Sequence, residues 1–369
     1  MINDFIEYWT AAKLLLSGGN PYSPVELLQS QQAIGWIQPV PLIMWNPPWT
    51  FAFTLPIGLL DYGNAQFAWF LVHALIIFVG AQVLWQVYGG QKRSRYAWLS
   101  VLTFTPTYFV LLLGQIGPLI LLGLIAFLFF VKKKTWGYAG ASMALVSIKP
   151  HLLYLVWLAL FLWMLSQRQW RLGLGVLISG LVVVIMPLFW NTAIYSQYIA
   201  LMNNGDVPRP VDWATPSLGT ALGEVLAIHA MWIRWLPTVT GALWFLCYWL
   251  RHGTMWDWVF ELPLILLVSV VTASFVWTFD HVVLVPAIIQ CAVWVSMNEN
   301  RRQRWLVIAM HMLLNSMLLV SKIFILNDFW YFWLAPTFLF FYLYVRQTYV
   351  SLSFRAREGI PFSSDSVKG

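Results

Sequence analysis

Asp4-Phe-Ile-Glu7-Tyr8-Trp-Thr-Ala-Ala-Lys13-Leu-Leu-Leu-Ser-Gly18-Gly19-Asn20-Pro21-Tyr22-Ser-Pro24 is too polar to span a bilayer and too apolar to float free. At 3.6 residues per turn, Asp4, Tyr8, Ala11 and Leu15 fall on one line, beside Phe5, Trp9, Ala12 and Leu16. Glu7, Thr10 and Lys13 are expected on the other side. Such a helix is expected to lie at a membrane surface. Gly18-Gly19 ends it, and Asn-Pro and Ser-Pro turn the chain. Asp4-x-x-Glu7 also has the spacing of a capping box, so the residues alone allow Asp4 to be no more than a helix cap.

The rest of the chain says what this helix precedes. Of 369 residues, 60% are hydrophobic and only 9% are charged, and the mean hydropathy is +0.71. That composition excludes an ordinary soluble domain. Repeated apolar runs predict an all-α, polytopic transmembrane helix bundle. The 24 Trp, 15 Tyr and 25 Phe suit interfacial belts and the walls of a lipid groove. The net charge of +7 does not predict nucleic-acid binding, because the basic residues sit in small clusters at the ends of apolar runs. Cys247 and Cys291 lie inside such runs, and no disulfide is expected.

In chain order, residues 1–64 read as a first external loop, with a second surface helix over 25–38 and a short apolar run ending at Leu60. That run is too short to cross roughly 30 Å of hydrocarbon. Eleven spans are expected near 65–88, 96–113, 118–131, 135–148, 151–165, 172–190, 232–250, 258–275, 281–297, 305–320 and 329–346. Residues 191–230 form an external loop, and 347–369 a loose cytoplasmic tail. With residue 4 outside, sixteen Lys and Arg fall on the inner side, including Lys92, Arg93, Arg301, Arg302, Arg304, Arg355, Arg357 and Lys368. Five fall outside: Lys13, Lys149, Arg209, Arg234 and Lys322. This asymmetry predicts a multi-pass cell-membrane protein with a cytoplasmic C-terminus. Glu261, near an inner span end, reads as a paired structural charge.

Asp4-x-x-x-Tyr8-x-x-Ala11, followed by Gly-Gly-Asn-Pro-Tyr, resembles the first external loop of the GT-C glycosyltransferases. The closest resemblance is to glycosyltransferase family 87, the polyprenol-phosphate-mannose-dependent mannosyltransferases. Leu113-Gly114-Gln115-Ile116-Gly117 resembles that family's Gly-Gln-x-Asn segment, with Gly117 where Asn is usual. Ser147-Ile148-Lys149-Pro150 and Phe279-Asp280-His281 resemble its later lysine-bearing and Trp-Asp-His motifs, and Thr215-Pro216-Ser217-Leu218 is a weaker echo of a further stretch. The resemblance implies a GT-C bundle with a membrane helix ahead of the aspartate. With that helix the count would be twelve spans.

By the same resemblance, Asp4 is the catalytic base. Lys149 and His281 are candidates for the donor phosphate, since both fall at outer span ends on family-like motifs. Arg209 joins them on charge and loop position, and Tyr8, Asn20, Gln115 and Asp280 are candidate substrate ligands. Bland readings stand beside these. Lys149 next to Pro150 can snorkel to the interface, His281 and Asp280 can form a structural pair, and Arg209 can be a solvated loop residue.

The chemistry needs few groups. A sugar on a polyprenyl phosphate already carries a good leaving group, so the protein must supply one base for the acceptor hydroxyl and positive charge around the departing phosphate. A single displacement inverts the anomeric centre, from β-linked donor to α-linked product. The expected partners are membrane lipids, a polyprenyl-phosphate sugar donor and a glycolipid or glycan acceptor, meeting on the extracytoplasmic face. No cofactor, metal or nucleotide sugar is expected, because the sequence holds no metal-ligand spacing and no glycine-rich phosphate cradle. The rival classes are a lipid or sugar transporter, which calls for internal repeats and mid-span polar groups, and a non-catalytic membrane scaffold.

Overall fold

The computed structural model describes residues 3–90, 94–205, 207, 209, 213–228, 230–325 and 327–358, with side chains described no further than residue 349. Of the basic residues that orient the chain, Lys92, Arg93 and Lys368 lie outside the described residues, as do the side chains of Arg355 and Arg357.

All regular structure among the described residues is helical. The chain opens with α1 (Phe5–Leu16), α2 (Pro24–Gln32), a 3-10 turn at Pro48–Thr50, α3 (Phe51–Thr54) and a second 3-10 stretch at Leu55–Leu59. The first half of the bundle is α4 (Tyr62–Val87), α5 (Arg95–Leu102), α6 (Thr105–Leu113), α7 (Gly117–Lys132), α8 (Trp136–Val146), α9 (Tyr154–Ser166) and α10 (Trp170–Ile185). After them come α11 (Ile194–Met202), α12 (Leu218–Leu226), α13 (Met231–His252) and α14 (Trp258–Thr272). A 3-10 stretch at Thr278–Leu284 then leads into α15 (Val285–Met297), α16 (Arg301–Phe324) and α17 (Leu334–Glu358).

Each expected span falls on a helix, but the helices differ in what their length allows. Four segments are long and apolar enough to cross a membrane: Tyr62–Val87, Trp170–Phe189, Thr278–Met297 and Arg301–Phe324. The pair α5 and α6, bent by 67°, would make a fifth. By contrast α8, at 1.5 Å per residue, rises only about 16 Å, half the thickness of a hydrocarbon core. A count of eleven spans therefore does not follow from helix length.

The bend between α5 and α6 has a local cause. Pro106 sits in the first turn of α6 and cannot continue a helix from α5. The break frees the Thr105 N–H, which donates to Asn315 Oδ1 at 2.8 Å, while the Thr105 hydroxyl donates to the Asn315 carbonyl at 2.8 Å. These two bonds pin the middle of α16 to the bend. Elsewhere close packing rests on small residues. An added Cβ at Gly140 of α8 would collide with the Leu172 carbonyl of α10, and one at Gly175 of α10 with the Gly137 carbonyl of α8.

Four expectations need correction. Helix α1 does not lie on a surface with one face free: Phe5, Ile6, Tyr8, Trp9, Thr10, Ala11, Ala12 and Leu15 are all buried. The Leu55–Leu59 stretch packs on it so closely that Gly58 leaves no room for a Cβ against the Ala12 backbone. On its other side Gln31 of α2 donates to Thr10 Oγ1 at 3.2 Å. Helix α2 ends at Gln32 rather than continuing to residue 38, because the chain turns there and Gly35 takes a left-handed φ of 99°. The 191–230 segment is not a plain loop, since it carries α11 and α12. The tail is not loose from residue 347, because α17 continues to Glu358.

Glu261 is paired as its position implied: Arg346 Nη2 lies 2.9 Å from its Oε2, and the Tyr248 hydroxyl donates to the same oxygen at 2.8 Å. Cys247 and Cys291 are both free.

Candidate functional site

The site is built where α1 meets the turn between α6 and α7. Gly114 closes α6 with a φ of 71°, a left-handed conformation that favours glycine, and its missing Cβ leaves room for Phe5 of α1. The indole of Trp69 donates to the Gly114 carbonyl at 2.8 Å, and Asn3 Nδ2 donates to the Leu112 carbonyl at 2.7 Å. This turn therefore locks the start of α1 onto the next residue, Gln115.

Asp4 is not a side-chain cap. It occupies the cap position of α1, but its carboxylate accepts no hydrogen bond from the helix N–H groups. Its Oδ2 instead accepts from Gln115 Nε2 at 3.0 Å, and Gln115 Oε1 accepts from the Tyr8 hydroxyl at 2.7 Å. An ionised carboxylate only accepts, so Asp4 takes the nitrogen end of the Gln115 amide, and the oxygen at the other end accepts the Tyr8 proton. Burial pushes the Asp4 carboxyl above its ordinary pKa, and Asp328 adds to the rise; the Gln115 bond and the positive charge of Lys149 hold it down. Tyr8 and Gln115, expected to touch substrate, are here engaged with each other and with Asp4.

Glu7 belongs to the same neighbourhood, although the helical wheel turns it away from Asp4 and Tyr8. Its pKa is pushed up to about 8, first by burial and then by the Asp4 charge, against the pull of Tyr8, Lys149 and Gln115. The signal was present in the sequence, because residues three apart on a helix are neighbours.

Lys149 follows the end of α8. The carbonyls just past that helix are engaged by the first loop: the Trp49 indole donates to Ser147 O at 3.0 Å and Asn46 Nδ2 to Ile148 O at 3.4 Å. Rather than snorkelling outward, Lys149 Nζ pairs with Asp280 Oδ1 at 2.7 Å; the two side chains are 12% and 3% exposed. Asp280 Oδ2 accepts from the Trp277 N–H at 3.0 Å, so both its oxygens are engaged and it does not pair with His281. His281 is wholly buried, with Nδ1 3.1 Å from the Trp277 carbonyl and 3.2 Å from that of Thr278. A carbonyl only accepts, so the ring proton sits on Nδ1, and Nε2 is left buried without a hydrogen-bond partner.

A second lysine–aspartate pair flanks the same 3-10 stretch. Lys322, at the end of α16, pairs with Asp328, whose Oδ2 also accepts from the Thr278 hydroxyl at 3.0 Å. Charge counting alone puts Lys322 on the outer side and assigns it no role. Aromatic rings line the approach to Lys149. Its Nζ lies 5.0 Å from the centre of the Phe279 ring, Phe279 stacks on Trp277, and Trp277 touches Trp213, which touches Trp45. Residues from three distant segments make this strip, so no local sequence pattern announces it.

The remaining candidates are placed as follows. The Asn20 side-chain oxygen Oδ1 accepts from the Tyr22 N–H at 3.0 Å, turning the loop. Arg209 is half-buried and already engaged by a neighbour. Ser217 caps α12, accepting from Thr220 N at 3.2 Å. Among the described residues no group of three or more His, Cys, Asp or Glu side chains is placed to hold a metal ion.

One end of this apolar helical bundle thus brings the Asp4 carboxylate within electrostatic reach of Lys149, which is itself paired with Asp280. Residues 45–321 match the family model of glycosyltransferase family 87, and the chain belongs to that family, which makes it a membrane glycosyltransferase. The transporter and scaffold readings are thereby set aside. No curated protein and no solved structure matches the chain. The matched range begins after Asp4, Tyr8 and Asn20 and ends just before Lys322, so what is said of those residues stands on geometry and on the motif resemblance.

Proposed function

We propose that the chain is an inverting transferase that moves a sugar, mannose by resemblance, from a polyprenyl-phosphate donor to a glycolipid or glycan acceptor, with Asp4 as general base. The observation that carries this reading is the Asp4 carboxylate: it leaves its own helix uncapped and is held instead by Gln115, within electrostatic reach of Lys149.

In this reading Asp4 takes the proton of the acceptor hydroxyl, whose oxygen bonds to the anomeric carbon as the anomeric carbon–phosphate oxygen bond breaks. The departing phosphate carries its negative charge toward Lys149. Donor binding then shares Lys149 with Asp280, which keeps the lysine oriented before the phosphate arrives. Tyr8 and Gln115 act on the base rather than on the sugar. The Trp45–Trp213–Trp277–Phe279 strip offers flat apolar faces to the sugar rings or the isoprenoid chain. His281 Nε2 and Arg209 remain candidates for phosphate contact, and the site opens on the extracytoplasmic side, as the basic-loop asymmetry predicts.

Membranes carrying the protein, supplied with radiolabelled polyprenyl-phosphate mannose, test the reading. Wild type transfers label and Asp4→Asn at equal expression does not. Equal turnover by the two proteins would remove Asp4 as base, and labelling only with another polyprenyl-phosphate sugar would remove mannose.

A further inference from the structure

One cavity lies beside the end of α16 that is away from Asp4. A groove of about 470 Å³ opens between α5, α15 and α16, with Phe341 of α17 at its back. Its volume is within the range of roughly 300–1,000 Å³ usual for small-ligand sites. At 1.5 Å per residue, Arg304 at its rim lies about 27 Å along α16 from Lys322, the end of that helix beside the candidate active site.

The groove has a structural origin. Helix α16 is fastened at its middle, where Asn315 takes the Thr105 N–H and His311 Nε2 lies 3.0 Å from the Thr103 hydroxyl, and at its far end, where Lys322 pairs with Asp328. Below His311, among the described residues, its side-chain tie to these helices is at the α15–α16 turn, where Asn298 Nδ2 donates to Gln303 Oε1 at 3.3 Å, and no side-chain bond reaches α5. The facing sides of those helices carry small residues, Ser100 on α5 and Cys291, Ala292 and Ser296 on α15. Small side chains opposite a half-helix held only at its turn leave a wedge-shaped space. The wedge is apolar along its length, lined by Leu99, Ile288, Val295 and Ile308, and Arg304 stands at its open end. Arg95, Arg301 and Arg302 stand at the same ends of α5 and α16, with Glu299 on the turn before α16.

We propose that this groove binds one anionic phospholipid of the leaflet opposite the Asp4 end, with an acyl chain in the wedge and its phosphate at Arg304. Charge complementarity selects this occupant. An apolar slot between membrane helices accepts any hydrocarbon chain, but a guanidinium at its mouth, with three further arginines at the same level, favours a phosphate of net negative headgroup. Tyr96 and Trp305, exposed at the same end, suit the interface between hydrocarbon and headgroups. The inference is independent of the sugar or base assigned above, since its readout is bound lipid rather than turnover.

The full chain, purified in mild detergent and washed through repeated delipidation, is analysed by native mass spectrometry after exposure to equal amounts of phosphatidylglycerol and phosphatidylcholine. Wild type should retain about one lipid per chain, with phosphatidylglycerol favoured several-fold. Ala292→Trp, which fills the wedge, should retain neither, and Arg304→Gln should keep a lipid but lose the preference. Equal retention by wild type and Ala292→Trp would overturn the site, and an unchanged preference in Arg304→Gln would overturn the headgroup assignment. A photoreactive phosphatidylglycerol on wild type keeps the question answerable if Ala292→Trp fails to fold: labelling on α5, α15 and α16 near Arg304 is the expected outcome, and labelling spread evenly over lipid-facing helices refutes it.

Discussion

Replacing Gln115 with Leu tests how the base is held. The substitution removes the amide that donates to Asp4 Oδ2 at 3.0 Å and keeps a buried side chain of similar size. A hydrogen bond to an ionised group contributes about 1.5–3 kcal/mol. At about 1.4 kcal/mol per pKa unit, its loss should raise the Asp4 pKa by about one to two units above its already elevated position. The sign follows from which form the amide favours: it stabilises the carboxylate, so without it the proton is held to higher pH. The acid limb of kcat/KM, measured from pH 5 to pH 9 with the polyprenyl-phosphate donor, should move up by that amount, with activity largely recovered on the alkaline side. Tyr8→Phe should move the limb the same way by less, because the amide survives but loses the hydrogen bond that holds its other end. A rate that falls equally at every pH, with the limb in place, would refute the idea that Gln115 works through Asp4.

Glu7 and the Lys149–Asp280 pair give further expectations. Between its ordinary pKa of 4.5 and its folded value of about 8, Glu7 keeps a proton in the folded state that the unfolded chain has released, so stability should fall as pH rises through that window. Glu7→Gln should melt at a higher temperature than wild type at pH 8 and at the same temperature at pH 4.5; parallel melting curves across the range would contradict the burial of a neutral carboxyl. Lys149→Met strands a buried aspartate and should destabilise by about 3–5 kcal/mol. Lys149→Met with Asp280→Leu should restore most of that stability in a denaturation assay without restoring transfer. If the double variant is active, Lys149 does not serve the donor phosphate.

Much about this protein could be read from its residues. Apolar composition dictated a helical membrane bundle, since backbone polar groups in hydrocarbon must be satisfied within their own segment. The Gly-Gly stop after Leu16, the family-like motifs and the pairing of Glu261 were also legible, because each depends on a few neighbours in sequence or on one charge that burial cannot leave alone. Span number was less so: α8 and its like are too short to be judged from apolarity, and their reach depends on what packs against them.

What the sequence determined by itself is the class of fold and the chemical types gathered at one end of it, because hydropathy, helix stops and charge placement are summed locally along the chain. Only the tertiary structure decided what Asp4 does with its carboxylate. A capping and a non-capping aspartate have the same local sequence, and the carboxylate is drawn off its helix by Gln115, more than a hundred residues away, which the left-handed Gly114 and its missing Cβ bring against the start of α1. The same holds for Lys149 on Asp280 and for the wedge beside α16: each arises from contacts between distant segments, which spacing along the chain does not encode.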